Sequence, residues 1–172
     1  MKSVYWDANI FHALFGAEAG RIEACNRIYE AARNGEVIIY TSAITCVECV
    51  WIKGNPDKLS PRHEAEITRF FEHKFIRIVQ CTRLIAEQAR GLIWKYPHLK
   101  PKDALHVATA IKAQVNLMHS YDNDDLVKLD GQIGNPPLKI CNPGNGDGFE
   151  PAEQTDLPIK APPPRRRINL EE

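Results

Sequence analysis

The sequence predicts an α/β protein, a three-layer α/β/α sandwich around a mostly parallel central sheet of about five strands. Three observations lead there. Short apolar, β-branched runs recur along the chain, and stretches with apolar residues at helical spacing separate them. Strands separated by helices need crossover connections, and crossovers make parallel neighbours. The chain has 172 residues, 44% hydrophobic and 26% charged, which suits one globular domain and is too short for two large ones.

The elements follow in order. Val4-Tyr5-Trp6 is an apolar run that stops at Asp7 and reads as a buried strand. A helical stretch begins near Asn9 and breaks between Gly16 and Gly20. A second helix spans about 21–33 and stops at Asn34-Gly35. Val37-Ile38-Ile39-Tyr40 is β-branched and forms the second strand. Thr41-Ser42 offers a cap for a helix running to Lys53, with Ile44, Val47 and Trp51 on its apolar side. Ser60-Pro61 opens a helix to about Phe71, since proline suits a first helical position. Residues 75–79 alternate and make the third strand. The stretch from Thr82 to Tyr96 carries Ile85, Ala89, Leu92 and Tyr96 at helical spacing. Lys100-Pro101-Lys102-Asp103 starts another helix, through about Ala113. Residues 116–120 read as the fourth strand and 138–140 as a short fifth.

From Asn142 the composition changes, with six prolines and three glycines in residues 142–172. Such a stretch has few apolar groups to offset its ordering entropy. The expected division is therefore a folded domain over 1–141 and a disordered tail over 142–172. Pro162-Pro163-Pro164 followed by Arg165-Arg166-Arg167 forms a stiff spacer with a small basic cluster.

Charge and cysteine usage narrow the function. The net charge is zero, and residues 1–141 carry eighteen basic and sixteen acidic groups. A global positive field cannot be what draws a polyanion, so any nucleic-acid contact must use a local basic patch or metal ions. No apolar run reaches the ~18 residues of a membrane span. The N-terminal apolar stretch is broken by Asp7 and Asn9, unlike a signal peptide, and a cytoplasmic protein is expected. Five cysteines, an odd number, read as reduced thiols. Cys46-x-x-Cys49 has no second pair at zinc spacing.

The acids carry more information. In parallel α/β sheets, ligands bind beyond the carboxyl ends of the strands. Asp7 ends the first strand, and Asp122 lies two residues after Ser120 at the end of the fourth. Glu48 falls at i+4 from Ile44, on or beside the apolar stripe, where an uncompensated carboxylate costs several kcal/mol. An arginine, a lysine or a metal should meet it. Asp103 sits in the first turn of its helix, where an acid is favoured in any case. Each acid alone has a plain structural reading as turn former, cap or ion-pair partner. Together they make a hard-cation site at one sheet edge. Asn9 is placed to orient a carboxylate, and Ser120 to hydrogen-bond behind the ligands. His106, three residues after Asp103, reads either as a contact to the site or as a structural histidine. The other histidines, at 12, 63, 73, 98 and 119, show no ligand spacing.

Four segments resemble the motifs of PIN domains, in order and spacing. Val4-Tyr-Trp-Asp7-Ala-Asn9-Ile-Phe is similar to the first, and Thr41-Ser-Ala-Ile-Thr-Cys-Val-Glu48 to the second. Lys102-Asp103-Ala-Leu-His-Val-Ala-Thr-Ala resembles the third, and Ser120-Tyr-Asp122 the fourth. The likeness spans roughly 3–141, and the size is similar to that of the VapC-type toxin ribonucleases of toxin–antitoxin pairs. It implies a PIN-like fold and an endoribonuclease dependent on one or two Mg²⁺ or Mn²⁺ ions. It also implies an RNA substrate, a homodimer and a cognate antitoxin as partner. By position, Asp7, Glu48, Asp103 and Asp122 would be the catalytic and metal-binding quartet, with Asp7 and Asp103 as direct or bridging ligands. Asp124 and Asp125 follow the fourth motif, and the resemblance does not decide which of them, if either, takes part. Lys102 and Arg83 are the candidate phosphate contacts.

Two other classes compete. The apolar-Asp-x-Asn string also resembles the opening of haloacid-dehalogenase-type phosphatases, which use an aspartate nucleophile with Mg²⁺. Those want a second acid where this chain has Asn9, and a cap that is not evident. The other is a catalytically inactive PIN-like binding or assembly module.

Overall fold

The computed structural model describes residues 1–50 and 61–149. Two hydrophobic runs start the fold. Strand β1 (Lys2–Trp6) turns Val4 and Trp6 to one side and Tyr5 to the other, and all three are fully buried. A strand covered on both faces needs such an unbroken apolar run. Strand β2 (Val37–Ser42) pairs with β1 in parallel, Val4 opposite Ile39. Strand β3 (Ile76–Val79) extends the sheet beyond β2. Strands β4 (Leu117–His119) and β5 (Lys139–Cys141) extend it beyond β1. The order is β3-β2-β1-β4-β5, and every pairing is parallel. The five-stranded α/β sandwich expected from the sequence is therefore present, with a sheet that is wholly rather than mostly parallel.

Helices cover the faces. Helix α1 (Ala8–Phe15) and α2 (Ile22–Arg33) close one side, where Trp6, Ile10, Phe11, Ile28 and Ile39 share a core. Helix α3 (Ala43–Glu48) follows β2, and α4 (Pro61–Phe71) brings Phe70 and Phe71 onto Phe11, at ring-centroid distances of 6.0 and 5.1 Å. Helix α5 (Arg83–Lys95) and α6 (Pro101–Lys112) cover the other face around Tyr5, Ala89, Val107 and Met118. Each large side chain sealed in these cores contributes roughly 1.5–3 kcal/mol. A single 3₁₀ turn, Val127–Leu129, lies between β4 and β5. Among the described residues no helix is long and apolar enough to cross a membrane.

Local chemistry sets the boundaries. Gly35, at φ 80°, ends α2 as its Asn-Gly stop predicts. Thr82 caps α5 by accepting the Ile85 amide. Of the proposed Thr41-Ser42 cap, only Ser42 caps α3. Thr41 stays in β2 and donates its hydroxyl to the Trp6 carbonyl at 2.8 Å. Helix α3 ends at Glu48, not at Lys53, because Cys49 leaves helical geometry at φ −82°, ψ 53°. Val47, expected on an apolar stripe, is 70% exposed. Trp51, Lys53 and Ser60 lie outside the described residues.

Of the expected tail, residues 142–149 are described and run along the α1–α2 side. Phe149 packs on that core, Lys2 Nζ donates to the Gly148 carbonyl, and Arg27 Nε donates to the Phe149 carbonyl. The remainder, 150–172, lies outside the described residues.

Candidate active site

A wholly parallel sheet presents all its strand carboxyl ends at one rim. Asp7 stands where β1 stops and caps α1, its Oδ1 accepting the Ile10 amide at 3.2 Å. Its other oxygen accepts the Ser120 hydroxyl at 2.6 Å and the Asn9 amide at 3.4 Å. Ser120 follows the adjacent strand β4 and also accepts the backbone N–H of Asp122 at 2.9 Å. One hydroxyl thus ties Asp7 to the loop that carries Asp122. In that loop, Asp122 Oδ1 accepts the amides of Asp124 and Asp125 at 3.2 and 2.9 Å, which folds the Asp125 side chain back over the rim. Asp122 is thus the capping group of this loop.

Asp103, Asp122 and Asp125 each offer a carboxylate oxygen, and these lie within 4.8 Å of one another. Asp103 comes from the first turn of α6, Asp122 and Asp125 from the loop after β4. Lys100 pairs with Asp125 across the rim. The two undecided acids separate here: Asp125 joins the cluster, while the Asp124 side chain is 98% exposed and stands 3.9 Å from Lys128.

Glu48 arrives from α3 and is met by positive partners, as its position demanded. His106 Nε2 lies 2.8 Å from Oε2 and Lys102 Nζ 3.4 Å from Oε1. Both partners belong to α6, one turn apart on the helix that carries Asp103. His106 is buried, and its Nδ1 lies 2.8 Å from the Tyr5 hydroxyl on β1. The histidine therefore has both of the roles left open for it: it is a core residue that touches the site. Beside the acids is a cleft of about 390 Å³, lined by Asn9, His12, Arg21, Glu48 and Lys102 among others. Arg83, the other candidate phosphate contact, pairs with Glu87 at 3.5 Å on the exposed side of α5.

Charge at the rim is under-compensated. Burial pushes the Asp7 carboxyl up to about 6, against the opposing pull of His106 and the Ser120 hydrogen bond. Asp103 is also raised, first by burial and then by the negative charge of Asp122. Glu48 is lowered: the hydrogen bond and charge of His106, helped by Lys102, overcome its burial. His106 touches Glu48 directly and stands one turn from Asp103 on α6. Clustered carboxylates that resist ionisation are matched to a hard divalent cation, and oxygen donors at this spacing fit Mg²⁺ or Mn²⁺.

Sequence reasoning missed Tyr5 and Lys100. Tyr5 was readable in retrospect, because residues two apart on a strand face the same side and Tyr5 lies two before Asp7. Nothing local marks Lys100, whose partner is 25 residues away.

Comparisons with known proteins agree with this architecture. VapC20 of Mycobacterium tuberculosis, a sarcin-ricin-loop-cleaving toxin, superposes with a TM-score of 0.56 at 18% identity. It covers 70% of this chain and 91% of its own. A toxin–antitoxin complex from Klebsiella pneumoniae matches at 0.53 and 24% identity, over 74% and 93%. VapBC2 of Rickettsia felis, bound to a promoter DNA fragment, matches at 0.56 and 15%, over 80% and 98%. At these identities the likeness is one of fold. No curated protein matches the sequence. The PIN domain family profile matches residues 4–132, a span that begins inside β1 and takes in Asp7, Glu48, Asp103, Asp122 and Asp125. On that match, the chain belongs to the PIN domain family.

Proposed function

We propose that this chain is a divalent-cation-dependent endoribonuclease that hydrolyses RNA phosphodiester bonds as the toxin of a toxin–antitoxin pair. The observation that carries the reading is the convergence of Asp103, Asp122 and Asp125 within 4.8 Å, with Asp7 joined to them through Ser120. The residues that would hold the cation, Mg²⁺ or Mn²⁺, are Asp7, Asp103 and Asp122, with Glu48 and Asp125 completing the charge. Such a cation supplies electrostatic stabilisation for attack of water on a phosphodiester.

The chain's own groups do the rest. Ser120 and the Ile10 amide hold Asp7 in one orientation. Glu48, kept ionised by His106 and Lys102, is the acid that accepts a proton from the attacking water. Lys102 and Arg21 line the cleft and give phosphates a cationic wall inside a protein of zero net charge. The relatives from Klebsiella and Rickettsia are toxin–antitoxin assemblies, which supports an antitoxin protein as the partner here. Exposed Leu84 and Trp94 on α5 offer apolar surface for a homodimer. The phosphatase reading loses its second acid, since the Asn9 amide donates to Asp7 where that class places a carboxylate.

The test is cleavage of single-stranded and structured RNA by the purified chain with Mn²⁺, Mg²⁺ or a chelator. Metal-dependent cleavage that disappears in Asp103→Asn, with the fold retained, supports the proposal. Intact RNA under both metals favours the inactive-module reading.

A further inference from the structure

Beneath the acids runs a buried line of hydrogen bonds that crosses both layers of the rim. Tyr5 on β1 meets His106 Nδ1 at 2.8 Å, and His106 Nε2 meets Glu48 Oε2 at 2.8 Å. Tyr5 is fully buried and His106 nearly so. The line joins residues 101 and then 58 positions apart in the sequence, so only the finished fold assembles it.

Hydrogen-bond capacity decides which way the line runs. An ionised carboxylate only accepts, so the imidazole nitrogen facing Glu48 must carry a proton. In the neutral ring the other nitrogen then accepts, and the Tyr5 hydroxyl is the donor beside it. Burial holds the Tyr5 phenol well above its ordinary range, so it remains a donor. A ring held between a fixed donor and an acceptor has one tautomer and one orientation.

We propose that His106 is a positioning residue for Glu48: held as its Nε2–H tautomer between the Glu48 carboxylate and the Tyr5 hydroxyl, it anchors Oε2 and leaves Oε1 turned to the cleft. The proposal rests on the reading of Glu48 as one of the site's acids. Two features favour it over a purely structural histidine. The imidazole contacts Glu48 at the oxygen that Lys102 does not use, so the carboxylate is held from two sides with distinct atoms. The ring also stands on α6 one turn from Asp103, while its partner Tyr5 lies two residues before Asp7, so it sits among the acids and not apart from them.

The experiment has a spectroscopic and a binding arm, both on the full chain. Two-bond ¹H–¹⁵N correlation spectra of the metal-free protein report the His106 tautomer directly. Nε2–H in the wild type is expected, and Glu48→Ala, which removes the acceptor at Nε2 and leaves a hydroxyl that can donate or accept at Nδ1, is expected to relax that preference. Calorimetric titration with Mn²⁺ follows for His106→Leu and His106→Gln. Supporting groups behind metal ligands typically change affinity by about 10–100-fold, and His106→Leu is expected in that range. Glutamine keeps a donor for Glu48 and an acceptor for Tyr5, and should restore most of the lost affinity. An Nδ1–H ring in the wild type, or equal Mn²⁺ affinities for His106→Leu and wild type, overturns the proposal. Equal losses in the leucine and glutamine variants overturn it too, since that is how a space-filling core residue behaves. Should His106→Leu fail to fold, the wild-type and Glu48→Ala tautomers decide. A wild type that binds no Mn²⁺ removes the nuclease reading, while the same tautomer comparison still judges His106.

Discussion

The Ser120 hydroxyl donates to Asp7 Oδ2 at 2.6 Å, the shortest tie between the two strands that build the rim's centre. The bond spans 113 residues of sequence and is buried. It favours the charged form of an acid that burial would otherwise neutralise.

Ser120→Ala removes that support. A hydrogen bond to a charged group is worth about 1.5–3 kcal/mol. The variant is expected to lose stability in that range at pH 8, where Asp7 is ionised, and less at pH 5. Denaturant titrations at the two pH values check it.

Asp7 itself is expected to trade stability for chemistry. Its folded pKa, about 6, lies above its ordinary 3.8, so the folded state binds the proton more tightly than the unfolded state. The carboxyl therefore favours folding in its protonated form, and that contribution is lost as pH rises from about 4 through 6. At pH 8 without divalent cations, Asp7→Asn should be more stable than wild type by up to about 3 kcal/mol, at 1.4 kcal/mol per unit. The gap should close as pH falls toward 4. Thermal melts across pH 4–8 measure it.

Cation binding should show the same signature from the other side. A ligand that binds only the folded state raises the melting temperature with concentration. Mn²⁺ is expected to stabilise the wild type at pH 7.5 and to do so much less at pH 5, where Asp7 is protonated. In Asp103→Asn, and in Asp122→Asn, the Mn²⁺-induced shift should be lost.

The segment after β5 gives a fourth expectation. His119 Nε2 lies 2.9 Å from Asp147 Oδ2, and both side chains are sealed from solvent. The Trp6 indole N–H donates to His119 Nδ1, so the other ring nitrogen carries the proton toward Asp147. Burial pushes the Asp147 carboxyl up, but His119 and the amides of Gly144 and Phe149 outweigh it and hold it at about 2. A lowered carboxyl stabilises the fold above its ordinary range and loses that contribution as pH falls toward 2. Asp147→Asn is expected to cost about 2 kcal/mol at pH 7. A chain ending at Cys141 should melt lower than one ending at Phe149. Equal melting temperatures would place the end of the folded unit at residue 141.

Much of this was legible in the sequence because the determinants are local. Apolar runs, Asn34-Gly35, the helical spacing that follows Thr82, and Pro101 at the head of α6 each specify an element from a few residues. Asp7 and Asp122 could be set at one rim because parallel strands send their carboxyl ends to one side, so chain order translates into position. What was not legible depends on distant partners. Glu48 was seen to need a positive neighbour, but Lys102 supplies it from α6, far along the chain. Asp125 rather than Asp124 turns inward, where Lys100 from 25 residues away meets its carboxylate, a choice that neighbouring identical residues do not announce. Helix α3 read too long because Val47 and Trp51 suggested a buried stripe, while Val47 faces solvent. Residues 142–149 read as loose because composition weighs apolar content. They are held instead by Asp147, by Lys2 and Arg27, and by glycines with positive φ, of which Gly144 lies against Arg27 with no room to spare for a side chain.

Because every strand points the same way, the molecule has one pole that gathers the acids and another where the strands begin. Met1, the Asn34–Gly35 turn and the bend at Gln114 all lie at the strand-entry end, opposite the carboxylates. A fluorophore or affinity handle attached there can report on the protein from behind, leaving the acid-bearing pole clear for whatever docks on it.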